Sequence, residues 1–324
     1  VLHHSRAQMF LDSAEARAYA KDPSSAALRR AALEPLRSYE AEVARSYPAQ
    51  GRRLAETHLG TVGTLLPYAY PLFRVPVEAS RLTLVHNGFM ERAIREEIRG
   101  AEVAVAPMPV SHAPVKRGDV AALREHLGFA PGDLVVGSFG LLTPEKEIDT
   151  VARAVARTAA ALPRVRLLLV GPVPDRGALE GILEARGVKD RTTLTGRVPL
   201  ETLATHVEAS DVVVHLRYPT ARETSAALLR VLAQGRPTVI SDLENLAEIP
   251  EDAALRADLT DEEGAVTRAL LRLGERPDLR SSLGARAAEF VREHHAPEKS
   301  RKAYEAAIER ARSLPDPPGQ SLAF

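Results

Sequence analysis

From residue 133 onward the chain alternates short apolar, β-branched runs with longer segments of helical composition, and this alternation leaves few folds open. The runs fall at residues 134–139, 165–170, 192–195, 212–216, 238–240 and 253–256. Helical segments fall at 148–161, 177–185, 200–209, 225–234 and 262–275. Val165-Arg-Leu-Leu-Leu-Val170 interrupts its apolar run only at Arg166, the pattern of a strand covered on both faces, so a parallel sheet is expected. Right-handed crossovers then give a doubly wound α/β domain, whose ligands bind beyond the carboxyl ends of the strands.

The stretch from Arg222 to Asp242 shows that logic locally. Thr224 or Ser225 can cap a helix, Gly235 ends it, and Pro237 prevents a restart before the run at 238–240. Leu228, Leu229, Val231 and Leu232 leave little room for a solvated face. The first N–H groups of such a helix lack intrahelical acceptors and carry partial positive charge. The small residues Thr224, Ser225 and Ala226 let a phosphate approach them. An ordinary capped crossover fits the stretch equally well.

The first part of the chain reads differently. Residues 12–20, 25–46, 50–59 and 67–80 have helical composition, and the first strand is expected only at 82–86. Asn87-Gly88 turns into a helix over 89–98, and a second strand follows at 103–106. An open α/β domain needs more strands, so several N-terminal strands are expected to be missing from a chain that opens on Val1. The reading divides the chain into a helix-rich, incomplete domain over 1–110, a Pro- and Gly-rich linker with one helix at 120–127 over 111–132, and a Rossmann-like domain over 133–296. Helices at 279–294 and 297–313 close it, and 314–324 forms a loose tail.

Composition removes several functions. Forty-three basic and forty-three acidic residues cancel, which gives no general argument for nucleic acid or an anionic membrane. The absence of cysteine excludes disulfides, thiolate catalysis and cysteine–zinc sites. No apolar run approaches the ~20 residues of a membrane span. The ten histidines show no metal-ligand spacing, and His294-His295 reads as a solvated helix end. Neither a Gly-x-Ser-x-Gly elbow nor a Gly-Lys-Ser/Thr phosphate loop is present.

Four loops leave the expected carboxyl ends of strands. In Phe139-Gly-Leu-Leu-Thr-Pro-Glu-Lys146, Gly140 allows close backbone approach, and Lys146 sits at a helix start against the dipole. Either it neutralises a phosphate or it is solvated. Gly171-Pro-Val-Pro-Asp175 reads as rigid scaffold. Thr195-Gly-Arg-Val-Pro199 can present backbone to a nucleobase and Arg197 to its edge or a phosphate, or it is a plain turn. His215 to Ser225 carries Arg217, Arg222, Glu223, Thr224 and Ser225. Arginine grips diphosphate bidentately, whereas Glu223 suits sugar hydroxyls or a developing positive charge. A surface ion pair between Glu223 and Arg217 or Arg222 is the other reading.

In order, Gly-Ser-Phe-Gly-Leu-Leu-Thr-Pro-Glu-Lys146, Leu-Leu-Leu-Val-Gly171, Leu-Thr-Gly196, Ala-Ser-Asp211 and the stretch Glu223 to Asp242 make residues 133–312 resemble the C-terminal domain of retaining, nucleotide-sugar-dependent glycosyltransferases of family four. Residues 36–110 are similar to one branch of that family through Tyr-Pro-Leu-Phe73, Leu-Val-His-Asn-Gly-Phe89 and Val-Ala-Pro-Met-Pro-Val110. The resemblance implies an α/β, GT-B-like fold, with two Rossmann-like domains facing a cleft, and a last helix crossing back to the first domain. Lys146 then matches a diphosphate-binding lysine, Gly140 its loop, Arg197 and Val198 the loop near the base, and Thr224 and Ser225 the backbone meeting phosphate and sugar. Arg222 would join the phosphate site. Three positions depart from the family pattern: Leu141 replaces an arginine, Arg222 stands at or beside the first of two expected glutamates, and Arg230 replaces the second. Glu223 is then the nearest catalytic carboxylate and Arg230 part of the donor site. Leu2-His3 would be a remnant of the family's catalytic Leu-His motif, or that motif lies upstream.

The expected activity is retaining, metal-independent transfer of a sugar from a nucleotide diphosphate sugar to an unknown acceptor. A sugar-nucleotide epimerase and a non-catalytic GT-B binding subunit are the alternatives. No cofactor or metal is expected. The partners would be a nucleotide-sugar donor and a glycan, lipid-linked or small-molecule acceptor, with no nucleic acid, no transmembrane segment and an open oligomeric state. The location would be cytoplasmic, with peripheral attachment at the inner membrane face left open.

Overall fold

The computed structural model describes residues 24–49 and 66–317, together with residues 18, 51 and 53. They divide into two compact units. One holds described residues up to 106, with 219–223 and those from 304; the other holds 107–218 and 224–303. Most of the helices expected at 12–20 and 50–59, and the end of the tail, lie outside the described residues.

The first unit contains α1 (Ala26–Ser46), α2 (Arg74–Glu78), β1 (Thr83–Val85), α3 (Gly88–Glu97) and β2 (Val103–Val105). β1 and β2 pair in parallel, joined by α3. Phe73, Val77, Ile94, Ile98 and Val103 form the core beneath them. The helix expected over 67–80 is two short pieces, Leu66–Ala69 and α2. Pro71 lacks an N–H and disfavours helical backbone at Tyr70, so the helix breaks there. Arg45 on α1 pairs with Glu78 on α2 at 2.8 Å.

Asn87 does two jobs in this unit. Its Oδ1 accepts the Met90 N–H at 2.8 Å and caps α3, while its Nδ2 donates to the Arg222 carbonyl at 3.3 Å. Arg222 holds a left-handed φ of 61° and places its guanidinium 5.7 Å from the centre of the Phe89 ring. Burial pushes the Glu97 carboxyl up, against the opposing pull of Arg74 and Arg222.

The second unit contains α4 (Arg117–His126), β3 (Leu134–Phe139), α5 (Ile148–Ala159), β4 (Val165–Val170), α6 (Arg176–Ala185), β5 (Thr192–Gly196), α7 (Leu200–Glu208), β6 (Val212–His215), α8 (Ala226–Ala233), β7 (Thr238–Ser241), β8 (Leu255–Ala257), α9 (Glu262–Glu275) and α10 (Pro277–His294). The unit boundary falls within α11 (Pro297–Ser313). The six strands lie in the order β5-β4-β3-β6-β7-β8, and every pair is parallel. β3 therefore sits beside both β4 and β6, and the chain winds outward in opposite directions from that seam. Val136, Leu167, Leu169, Val212, Val214 and Val239 face one apolar layer. Val135, Leu168, Val170 and Val213 face another.

Two boundaries and the burial of one residue illustrate where the structure differs from expectation. α4 starts at Arg117, earlier than the expected 120. The last strand starts at Leu255 because the Ala253 N–H is spent in a turn on the Pro250 carbonyl at 2.9 Å. His295 is 8 % exposed, not solvated: its carbonyl accepts the Val110 N–H at 2.9 Å, and its Nδ1 lies 3.1 Å from the Met108 carbonyl.

The double use of Asn87 can be separated by mutation. Asn87→Ala removes the cap and should lower unfolding free energy by about 1 kcal/mol in urea denaturation. Asn87→Asp keeps an acceptor for Met90 and should lose less; equal losses would show that the cap is not what Asn87 contributes.

Candidate functional site

The seam between β3 and β6 is where the expected site residues of the second unit begin to gather. β3 ends at Phe139, and Gly140 turns with a φ of 116°. The neighbouring strand must yield to it: a methyl on Gly171 would lie 1.8 Å from the Gly140 carbonyl oxygen. Gly171 in turn donates its N–H to the Gly196 carbonyl at 2.9 Å. The ends of β3, β4 and β5 are thereby drawn together, so Arg197 leaves the same sheet edge as Gly140.

Lys146 ends a short 3-10 turn, Pro144–Lys146, and Glu147 then breaks to a left-handed φ of 51° before α5. The lysine is not solvated; it is 4 % exposed. Its Nζ lies 3.4 Å from Nε2 of His215 at the end of β6. An ammonium only donates, so Nε2 is the acceptor and the ring proton belongs on Nδ1. A methyl on Gly140 would stand 3.6 Å from Ala227 Cβ and 3.8 Å from Lys146 Nζ. Gly140 thus keeps open the small space between the lysine and the first turn of α8.

That first turn is capped by Ser225, whose Oγ accepts the Leu228 N–H at 3.3 Å. The amides of Ala226 and Ala227 precede the first intrahelical acceptors, so they carry the positive end of the helix. Thr224 directly precedes the cap. The loop after β6 is tied to the lysine turn by the Tyr218 N–H, which donates to the Glu145 carbonyl at 2.9 Å. It is tied to β7 by the Arg217 N–H, which donates to Ser241 Oγ at 2.9 Å. Ser241 donates onward to Glu262 at 2.6 Å, and burial raises that carboxyl despite the bond.

His215 was present in the fourth loop but carried no expected role. Burial, then Lys146 and Arg217, hold its pKa well below the ordinary histidine value. The available signal was a histidine ending a strand otherwise made of valines, at the carboxyl edge.

The remaining expected residues are placed as follows. Arg197 is exposed, and Val198 packs on the core layer that holds Leu168 and Val213. Arg230 is half-buried on α8, one turn below its start. Arg222 and Glu223 belong to the first unit. The Arg222 guanidinium lies 5.7 Å from the centre of the Phe89 ring, and its charge acts against the upward push of burial on the Glu97 carboxyl. One carboxylate oxygen of Glu223 is shielded from solvent. His3 lies outside the described residues. A separate cavity of about 500 Å³ beside the lysine turn is lined by Glu147, Thr150, Arg153, Tyr218, Asp261 and Glu262. Its carboxylates disfavour a diphosphate.

Residues 133–276 match the family model described as Glycosyl transferases group 1. The D-inositol 3-phosphate glycosyltransferase of Segniliparus rotundus is 34 % identical over 151 residues, covering 45 % of this chain and 33 % of that protein. The enzyme of the same name from Nocardia farcinica is 29 % identical over 232 residues, covering 66 % of this chain and 49 % of that one. The chain therefore spans a third to a half of the length of these curated relatives. Among solved structures, Anabaena HepE in complex with UDP-glucose superposes with a TM-score of 0.66 at 16 % identity, over 85 % of this chain and 77 % of that one. No helix among the described residues is long and apolar enough to cross a membrane. Residues 133–276 are therefore similar to the group 1 glycosyltransferases, and the structure shares the fold of HepE.

Proposed function

We propose that this chain transfers a sugar from a nucleoside diphosphate sugar to an acceptor hydroxyl with retention of anomeric configuration, and that the donor diphosphate sits at the seam between β3 and β6. The observation that carries the reading is the burial of Lys146 against Gly140, His215 and the start of α8. Buried charges are held by partners, and a diphosphate entering beside the ammonium would add one. HepE, a structural neighbour, binds UDP-glucose.

The chemistry follows from where charge develops. As the bond between the anomeric carbon and the diphosphate oxygen breaks, negative charge grows on the leaving phosphate. Lys146 and the Ala226 and Ala227 amides would face that charge more strongly in the transition state than in the bound donor. Neutral His215 holds the ammonium in place through its lone pair without adding a competing negative charge. Arg197 would meet the nucleoside end. Glu223, directly before Thr224 in the chain, would orient the sugar. Side chains and amides thus supply the positive charge in this reading, with no cofactor. We place the protein in the cytoplasm, with peripheral access to any membrane-borne acceptor.

Leu141 favours a second reading, a nucleotide-binding subunit without turnover. It is 51 % exposed at the position where the resemblance puts a second cation. Assaying transfer and hydrolysis with a panel of nucleotide sugars separates the two: binding without turnover selects the subunit, and product formation selects the transferase.

Lys146→Ala should weaken nucleoside diphosphate binding by ~1–3 kcal/mol in calorimetry, the value of a charged hydrogen bond; unchanged affinity removes Lys146 from the site. Glu223→Gln should lower turnover more than nucleotide affinity, and equal losses would deny it a role toward the sugar. His215 gives a pH signature. Its folded-state pKa is depressed, whereas in the unfolded chain it titrates near ~6.5. As pH falls through that value the unfolded state takes up a proton that the folded state refuses, so stability is lost on acidification. His215→Gln should flatten the stability profile between about pH 5 and 7; a slope equal to that of the unmodified chain would contradict this assignment.

A further inference from the structure

The loop after β6 makes an excursion before it reaches α8. Pro219–Glu223 packs with the first unit, although the chain on both sides of it belongs to the second. Within this stretch Arg222 holds a left-handed φ of 61°. A residue with a side chain avoids that region, so the surroundings must keep it there. The other non-glycine residue with a positive φ among the described residues is Glu147, directly after Lys146.

Arg222 is held at its N–H, its carbonyl and its guanidinium. The N–H donates to Thr220 Oγ1 at 2.9 Å, and the carbonyl accepts Asn87 Nδ2 at 3.3 Å. The guanidinium stands 5.7 Å from the centre of the Phe89 ring, within cation–π reach. Asn87 and Phe89 belong to the start of α3, and Asn87 is 5 % exposed. Capping α3 requires only an acceptor, which the Asn87 Oδ1 gives to the Met90 N–H. The contact of Nδ2 with Arg222 is additional to the cap. Turning the amide over would set donor against donor at Met90 and oxygen against oxygen at Arg222, so both contacts fix its orientation.

Glu223 is the next residue, and one of its carboxylate oxygens is shielded from solvent. On the other side of Arg222, Ala221 is buried. The dihedrals of a residue set the direction in which the following side chain leaves the backbone. Whatever fixes Arg222 therefore fixes where the Glu223 carboxylate stands.

We propose that Asn87 and Phe89 are positioning residues for sugar transfer: they hold the Arg222 turn and thereby keep the Glu223 carboxylate in the orientation that engages the sugar. Their effect on the reaction passes through Arg222 to Glu223. This rests on the transferase reading above and on the sugar-directed role given there to Glu223.

The test is a double-mutant cycle on the full chain. UDP-, GDP-, ADP- and TDP-glucose are offered with water as acceptor, release of the nucleoside diphosphate is followed, and the donor turned over fastest is carried through. Asn87→Asp keeps the acceptor for Met90 but replaces the donor to Arg222 with an oxygen. It should lower kcat by about tenfold and leave affinity for the nucleoside diphosphate within about twofold. Phe89→Leu keeps an apolar side chain without the ring; it should lower kcat in the same selective way, and it serves if Asn87→Asp fails to fold. In a Glu223→Gln background either substitution should lower kcat further by less than about twofold, because the group it positions is already disabled. Equal losses with and without Glu223 overturn the proposal, as do parallel losses of turnover and nucleotide affinity. Unchanged turnover in both variants, with Glu223→Gln impaired, overturns it and spares the role of Glu223. Full turnover in Glu223→Gln removes that role and the proposal together but leaves the transferase reading. Release from none of the donors removes the transferase reading as well.

Discussion

The structure depends on one awkward placement, a lysine ammonium buried at the point where a parallel sheet changes winding direction. Lys146 is 4 % exposed, and its Nζ meets the ring of His215 across the seam between β3 and β6. Removing a cation from water is costly unless other groups answer it. His215 supplies a lone pair and, being held neutral, no counter-charge. In the proposed reading, a diphosphate would enter the space beside Gly140 and α8 and meet this ammonium.

Everything around that space follows from the sheet. A wholly parallel sheet sends all its carboxyl ends to one edge, and the order β5-β4-β3-β6-β7-β8 parts the loops after β3 and β6 at the middle. The two loops that diverge there carry Lys146 on one side and the α8 cap on the other. Close approach of adjacent strand ends, Gly171 against the Gly140 carbonyl, packs the β3 and β4 ends tightly at that edge. The short contact of Tyr218 with the Glu145 carbonyl then fixes one loop to the other.

Much of this was legible because it is local. The apolar run 165–170 announced a doubly covered strand, and β4 is that strand. Ser225 and Gly235 marked the limits of α8 through cap and stop chemistry that acts within a few residues. Lys146 stood out because it sat against a helix dipole, although the turn that buries it is 3-10 and Glu147 breaks it from α5. What stayed hidden depends on partners distant in sequence. His215 gained its role only when β6 was laid beside β3, 69 residues from Lys146. The backbone of Arg222 and its contact with the Phe89 ring could not be read from the sequence. A left-handed backbone at a non-glycine residue leaves no mark in the sequence, and Phe89 and Asn87, which hold it, lie more than a hundred residues away.

The most direct test of the buried-lysine account is a crystal structure of the chain with a nucleoside diphosphate bound. The account predicts a phosphate oxygen at hydrogen-bond distance, about 3 Å, from Lys146 Nζ and from the amides of Ala226 or Ala227, with His215 Nε2 still facing the ammonium. A diphosphate seated elsewhere, with the Gly140 space closed or filled by a side chain, would contradict it.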